Sequence, residues 1–138
     1  MRLGMIFAAA AATACVLATP AFGQQASEHI VSLYRAAPGQ QVALLKWMAQ
    51  QDRASVEAGV PASQIYVHTS GDSWDYMVIN PVTTKAQDDA VEAVAKRLGL
   101  ATGPRASIEF RTMIASHTDT TSTGPQTAAQ ILAGLGEK

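Results

Sequence analysis

The residues best suited to chemistry in this 138-residue chain surround one glycine, in the stretch IYVHTSGDSWDY at positions 65–76. His68 carries the side chain most often used as a general base near neutral pH, and Tyr66 and Trp74 are close to it in sequence. A histidine at a strand end can equally bond to the adjoining loop, so both interpretations stay open. The TSGDS segment itself needs no function. Its glycine allows a positive φ and its Asp and Ser side chains can bond to local backbone, as in a hairpin loop.

A metal site is the second chemical possibility. His117 and Asp119 stand two residues apart on an extended segment, so their side chains would project to the same side. His29, at the start of the first predicted strand, is the one obvious third ligand, and we expect it to approach His117 at one end of the sheet. Zinc sites commonly need three or four protein ligands. The pattern therefore favours an Asx-type turn at Asp119 and predicts neither a metal nor another cofactor.

Composition and motifs exclude several classes of function. The net charge is -1 at pH 7, and the ten Lys and Arg residues are scattered along the chain, which argues against a nucleic-acid partner. The sequence contains no GxSxG, GxGxxG or GxxxxGK[ST] segment. It therefore lacks the nucleophile elbow of hydrolases and the glycine-rich loops that bind nucleotide phosphates.

The first 23 residues are typical of a secretory signal peptide. They combine a basic start, an apolar run and a small-residue cleavage pattern: Arg2, positions 5–17, and Ala21 with Gly23. We expect cleavage between Gly23 and Gln24 and a mature protein that is periplasmic or secreted. A lipoprotein would keep Cys15, but the residues before it lack the usual leucine three places upstream. The apolar run is shorter than the roughly 20 residues that cross a bilayer, so no stable membrane span is predicted.

The spacing of apolar residues predicts an α+β domain over 24–120, with the order β-α-β-β-α-β. Strands are expected within 28–39, 63–81 (two, joined by the hairpin) and 106–117, and helices within 40–59 and 83–100. Thr83 or Thr84 can cap the second helix. Residues 121–138 are predicted to form a Thr/Gly-rich linker and a C-terminal helix that is too short to be stable without docking. This order is the split βαβ arrangement of ferredoxin-like folds, with a four-stranded antiparallel sheet and helices on one face.

The segment SLYRAAPGQQVALLKWM, a strand followed by Pro-Gly and a long helix, resembles the dimeric α+β-barrel superfamily. The resemblance extends over residues 28–118. It implies a homodimer in which helices cover one face of each sheet and the other face encloses a pocket.

Strand parity then predicts which side chains face that pocket. If Val31, Leu33 and Ile79 pack under the helices, the opposite face is rich in tyrosine and tryptophan. Such a face is suited to a small ligand, or to a dimer interface, because these side chains combine apolar area with a polar tip. The predicted ligand contacts are Tyr34, Tyr66, Trp74, Tyr76 and Arg111.

Three functions remain open at this point. The first is an exported homodimer that binds a small apolar or aromatic molecule on the open face of the sheet without chemistry. The second is a cofactor-independent enzyme, resembling the small monooxygenases of the superfamily, with His68 as base. The third is a purely structural dimer.

Overall fold

A computed structural model of the chain describes residues 27–137. The predicted signal peptide, its cleavage site and Cys15 lie outside this range. The described strands are β1 (Ser27–Ala36), β2 (Gln64–Val67), β3 (Tyr76–Pro81) and β4 (Ile114–Gly124). The helices are α1 (Gln41–Glu57), α2 (Lys85–Arg97), α3 (Pro104–Met113) and α4 (Ala128–Gly134). No helix in the described range is long and apolar enough to cross a membrane.

The four strands form one antiparallel sheet in the order β2-β3-β1-β4. Two βαβ units are thus interleaved, with β1 and β3 at the centre and β2 and β4 at the edges. This strand order confirms the predicted ferredoxin-like fold.

The two long helices form where the sequence predicts them. α1 follows the turn at Pro38 and Gly39, and it buries Leu44 and Met48, which are four residues apart on one face. Thr84 caps α2 in a capping box with Gln87. α1 and α2 pack against each other, so they form one layer over the sheet.

The fourth strand begins later than predicted. Residues 104–113 form α3, and β4 takes the Thr-rich segment that we had expected to begin the linker. Ala106, Phe110 and Met113 are the less exposed side chains of α3, and their spacing of four and three residues is helical. Pro104 opens this helix directly after Gly103, whose φ is +55°. The apolar residues Ile108, Phe110 and Ile114, all at even positions, had concealed this period.

The predicted assignment of side chains to the two faces is wrong for β1 and β3 and correct for β2. The core cluster under the helices contains Tyr76 and Val78 of β3 together with Leu44 and Met48 of α1, and Ser32 of β1 is only 2% exposed. We call this side of the sheet the helix face. The other side, the open face, carries Val31, Leu33, Met77 and Ile79, which are partly exposed. Both central strands, β1 and β3, have apolar residues at odd and even positions. The aliphatic side chains alone therefore did not show which face of the sheet the helices cover.

Candidate functional site

A cavity of about 270 Å³ lies between the helix face and α1. We call it the inner cavity. The sheet forms its floor and α1 forms its roof. Its walls are Tyr34, Trp47, Met48, Gln51, Asp52, Ser63, Val78 and Asn80.

A second concavity, the outer cleft, has a volume of about 460 Å³ and is open toward α2 and the segment 101–103. It shares Gln51, Asp52, Ser63 and Asn80 with the inner cavity. These four polar residues therefore stand where the two spaces adjoin.

Aromatic rings pack against Tyr34 and Trp47, the two aromatic residues that line the inner cavity. The ring of Phe110 lies 5.0 Å from that of Trp47 and 5.7 Å, edge-on, from that of Tyr34. His117 of β4 stacks on Tyr34 at 5.8 Å. These distances are in the favourable range for aromatic pairs. The cluster holds Tyr34 and Trp47 in place as part of the cavity wall.

Tyr34 is the titratable aromatic residue of the inner cavity. Burial raises the pKa of its phenol above the ordinary value of 10.0, while the Ser32 hydroxyl lowers it by a smaller effect and the Asp119 carboxylate raises it again. The phenol is therefore protonated at neutral pH. It can donate a hydrogen bond to a ligand, and it is poorly suited to act as a base.

Asp52 is fixed at the junction of the inner cavity and the outer cleft. Its Oδ1 accepts hydrogen bonds from the amide (3.0 Å) and the hydroxyl (2.7 Å) of Ser63. These bonds join α1 to the segment before β2. Within residues 27–137, no hydrogen bond to the other oxygen, Oδ2, is found.

His68, the predicted general base, lies away from the inner cavity. Its ring contacts Trp74 at 5.0 Å beneath the hairpin loop, and its Nε2 is buried without a hydrogen-bond partner among the described residues. Trp74 also borders a small concavity with Leu33 and Arg35, which lie on the open face. A substrate for His68 would therefore have to bind at the hairpin, and its catalytic role stays a prediction.

The hairpin is anchored by Asp75. Its carboxylate Oδ2 accepts a hydrogen bond from the Ala36 amide at 2.7 Å, and its own amide donates to the Tyr34 carbonyl at 2.8 Å. These two bonds attach the end of the hairpin to β1. They give Asp75 a structural role.

The five predicted ligand contacts are not brought together. Tyr34 and Tyr76 lie on the helix face, and Tyr76 donates a hydrogen bond to the Gln41 carbonyl at 3.3 Å. Tyr66 lies on the open face, in a concavity of about 310 Å³. Arg111 is exposed on α3. Of this set, Tyr34 alone lines the inner cavity.

Sequence reasoning missed Trp47, Gln51 and Asp52 as lining residues. A signal was present, because Trp47 and Gln51 are four residues apart and a polar side chain within an otherwise apolar helix stripe can indicate a cavity.

Among the metal-ligand candidates, His29 is separated from the other two. His29 pairs with Ser122 across the β1–β4 ladder, whereas His117 pairs with Tyr34. Five residues along β1 separate these positions, or about 17 Å. The expectation that His29 and His117 approach each other is therefore wrong, because His117 stands at the start of β4. The Nε2 of His117 instead lies 3.5 Å from the Oδ2 of Asp119. No group of three potential metal ligands occurs among the described residues.

The fold and the inner cavity define a ferredoxin-like α+β domain with a small-molecule-sized space between its layers. No family model matches the chain, and no curated protein matches it. Solved structures with a similar fold include a dimeric protein of unknown function and ferredoxin-like fold from Bacteroides fragilis NCTC 9343. It is 17% identical and has a TM-score of 0.40, over 75% of this chain and 100% of that one.

Another similar structure is that of a proposed antibiotic biosynthesis monooxygenase from Chloroflexus aurantiacus J-10-fl. It is 17% identical with a TM-score of 0.38, and the match covers 72% of this chain and 96% of that one. These are likenesses of fold. The strand order and helix placement of the chain itself establish its architecture.

Proposed function

We propose that this chain is an exported homodimeric protein that binds a small apolar or aromatic molecule in the inner cavity. The observation that carries the proposal is the lining of this space. Two aromatic rings, Tyr34 and Trp47, face it together with the amides of Gln51 and Asn80. Ligand sites are typically concave and mainly apolar, with a few polar groups that orient the ligand.

This proposal places the ligand pocket on the helix face, whereas the sequence predicted it on the open face. The tyrosines that motivated that prediction are divided between the two faces, with Tyr34 and Tyr76 under the helices and Tyr66 on the open side. Tyr34 still contributes to the proposed site. Most of the other lining residues belong to α1, and Ser63, Val78 and Asn80 complete the wall.

The open face is proposed as the surface that pairs with a second copy of the chain. Its central strands present Val31, Leu33, Met77 and Ile79, and the strand residues of this face include no aspartate or glutamate. An aliphatic sheet face that is not covered by its own helices is stabilised by burial against another subunit.

α4 supports the same proposal. Its Thr127 cap and Gln130 form a capping box, so the sequence specifies a helix here. Ile131, Leu132 and Leu135 are 50%, 46% and 72% exposed, and α4 has no extensive contact with another described element. A helix of seven residues is marginal without packing. A second subunit would supply the missing contact.

Export is supported by the composition of the N-terminal segment. The test is the intact mass of the protein purified from its own host. We expect a chain that begins at Gln24. A chain that keeps Met1, or one that begins at a lipid-modified Cys15, would contradict this part of the proposal.

Ligand binding is tested by calorimetric titration with 2-naphthol, a neutral aromatic probe, into the wild-type protein and two variants of α1. Gln51→Trp places an indole in the inner cavity and is expected to abolish binding. Gln50→Trp, one residue away at an exposed position, is the matched control and is expected to bind like the wild type. Absence of binding to the wild type, or equal binding by both variants, would contradict the proposal.

A further inference from the structure

The charged groups that line the inner cavity and the outer cleft all have the same sign. Asp52 is the one charged side chain of the inner cavity, and Asp88 and Glu92 add two carboxylates in the outer cleft. Neither space, as bounded by the described residues, is lined by a lysine, arginine or histidine. An anionic ligand would find no partner for its charge there.

The carboxylate of Asp52 is available for a ligand. Ser63 occupies Oδ1 through two hydrogen bonds, which fix the side chain and leave Oδ2 free of protein donors within residues 27–137. The outer carboxylates are more engaged: Asp88 accepts a hydrogen bond from Thr83, and Glu92 lies 2.8 Å from Lys96. Asp52 is therefore the residue best placed to accept a charge-assisted hydrogen bond.

The aromatic wall also favours a positively charged ligand. The faces of Trp47 and Tyr34 carry the negative part of the ring quadrupole, which attracts a cation within about 6 Å. Both residues line the cavity that Asp52 also lines. A cationic nitrogen near Oδ2 would thus be stabilised by a carboxylate and by an aromatic surface, while the aromatic body of the ligand packs against the rings.

We propose that the ligand of the inner cavity is an arylalkylamine, an aromatic ring with an amine on a short alkyl chain, in its cationic form. The inference rests on the proposed function, since it concerns the chemistry of the molecule that the cavity binds. Asp52 Oδ2 accepts a hydrogen bond from the ammonium group. Trp47 and Tyr34 contact the aromatic ring.

Three indole probes that differ only in the end of the side chain test this inference. Tryptamine is cationic at neutral pH, indole-3-ethanol is neutral and indole-3-acetate is anionic. Calorimetric titration into the full-length mature protein at low salt is expected to give the tightest binding for tryptamine, at least about tenfold tighter than for the neutral probe. The anionic probe is expected to bind most weakly.

Asp52→Asn distinguishes the charge of Asp52 from its structural role. Asparagine keeps Oδ1 as an acceptor for Ser63, and it replaces the free carboxylate oxygen by an amide. This variant should lose the preference for tryptamine, so that tryptamine and indole-3-ethanol bind with affinities within about twofold of each other. Asp89→Asn is the matched control, because Asp89 is an exposed residue of α2 that pairs with Lys85 and lines neither space.

The possible results separate the inference from the function on which it rests. Equal affinity for all three probes, or a preference for tryptamine that survives in Asp52→Asn, would overturn the inference and leave the binding function standing. Failure of all three probes to bind would overturn both. Loss of the preference in Asp52→Asn but not in Asp89→Asn would establish the inference.

Discussion

The two faces of the sheet differ in what accompanies their apolar residues. On the helix face, polar and aromatic side chains such as Ser32, Tyr34 and Asn80 stand among the core residues, and a cavity remains between the layers. On the open face, the central strands present an aliphatic surface, and a concavity of about 310 Å³ lies beside Tyr66. The difference indicates a division of roles, in which one face holds a ligand and the other holds a second subunit.

The largest expected effect contrasts two adjacent residues of β3. Val78 is 3% exposed on the helix face, and Ile79 follows it on the open face. Val78→Asp buries a carboxylate without a partner, which costs about 3–5 kcal/mol, so we expect an unfolded or severely destabilised chain. Ile79→Asp should remain folded and become monomeric, because a twofold interface would place two new carboxylates near each other. Circular dichroism and sedimentation equilibrium measure the two outcomes.

This contrast fails if the two variants behave alike. If Ile79→Asp unfolds as readily as Val78→Asp, the open face is part of the core of one subunit. If Ile79→Asp stays dimeric, the interface lies elsewhere.

A smaller effect is expected at α4. Leu135→Ser removes a large apolar side chain, 72% exposed, at the C-cap of α4. We expect the dimer dissociation constant to rise about tenfold, as for the loss of a moderate interface contact, with little change in the unfolding free energy of the monomer. Ala129→Ser, at an exposed position of the same helix, is the control. An unchanged dissociation constant for Leu135→Ser would show that α4 takes no part in the interface.

Next in size is a pair of tyrosine substitutions on opposite faces. Tyr34→Phe removes a hydroxyl that borders the inner cavity and should weaken 2-naphthol binding about fivefold, the value of one hydrogen bond of about 1 kcal/mol. Tyr66→Phe, on the open face, should leave the affinity unchanged. The reverse order would place the ligand on the open face, where the sequence had predicted it.

The smallest expected effect is the alkaline pH dependence of stability. The raised pKa of Tyr34, caused mainly by burial, means that the folded state keeps the phenol protonated at a pH where the unfolded chain ionises. The contribution of the protonated Tyr34 phenol to the stability of the folded state is complete below pH 10.0, the ordinary pKa of the group. It is lost as pH rises through the pKa of the folded state. Burial also raises the pKa of Tyr76 in the same sense. Urea unfolding at about pH 8 and about pH 11 should therefore show a smaller loss for Tyr34→Phe than for wild type.

The fold could be predicted from the sequence because its main signals are local. The capping residue Thr84, the helical spacing of Leu45 and Met48 in α1, and the glycine of the hairpin each indicate an element without reference to the others. The apolar residues of positions 106–117 fit both the two-residue period of a strand and the period of a helix. Only the position of Pro104 after Gly103 favoured the helix.

The site was predicted less well because it depends on which sheet face the helices cover. β1 and β3 have apolar side chains on both faces, so their pattern fits either orientation. The buried Ser32 and the register of Tyr34 opposite Tyr76 settle the question in the structure. These are tertiary facts, and single-strand parity does not contain them. The contribution of α1 to the cavity likewise depends on how the helix is rotated over the sheet.

The division of roles between the faces is tested most directly by the two indole N–H resonances of the protein. The chain has two tryptophans, Trp47 in the inner cavity and Trp74 beside the open face. Titration of 2-naphthol into ¹⁵N-labelled protein should shift the Trp47 signal and leave that of Trp74 in place. A shift of Trp74 with Trp47 unmoved would contradict the account and place the ligand at the hairpin, near His68.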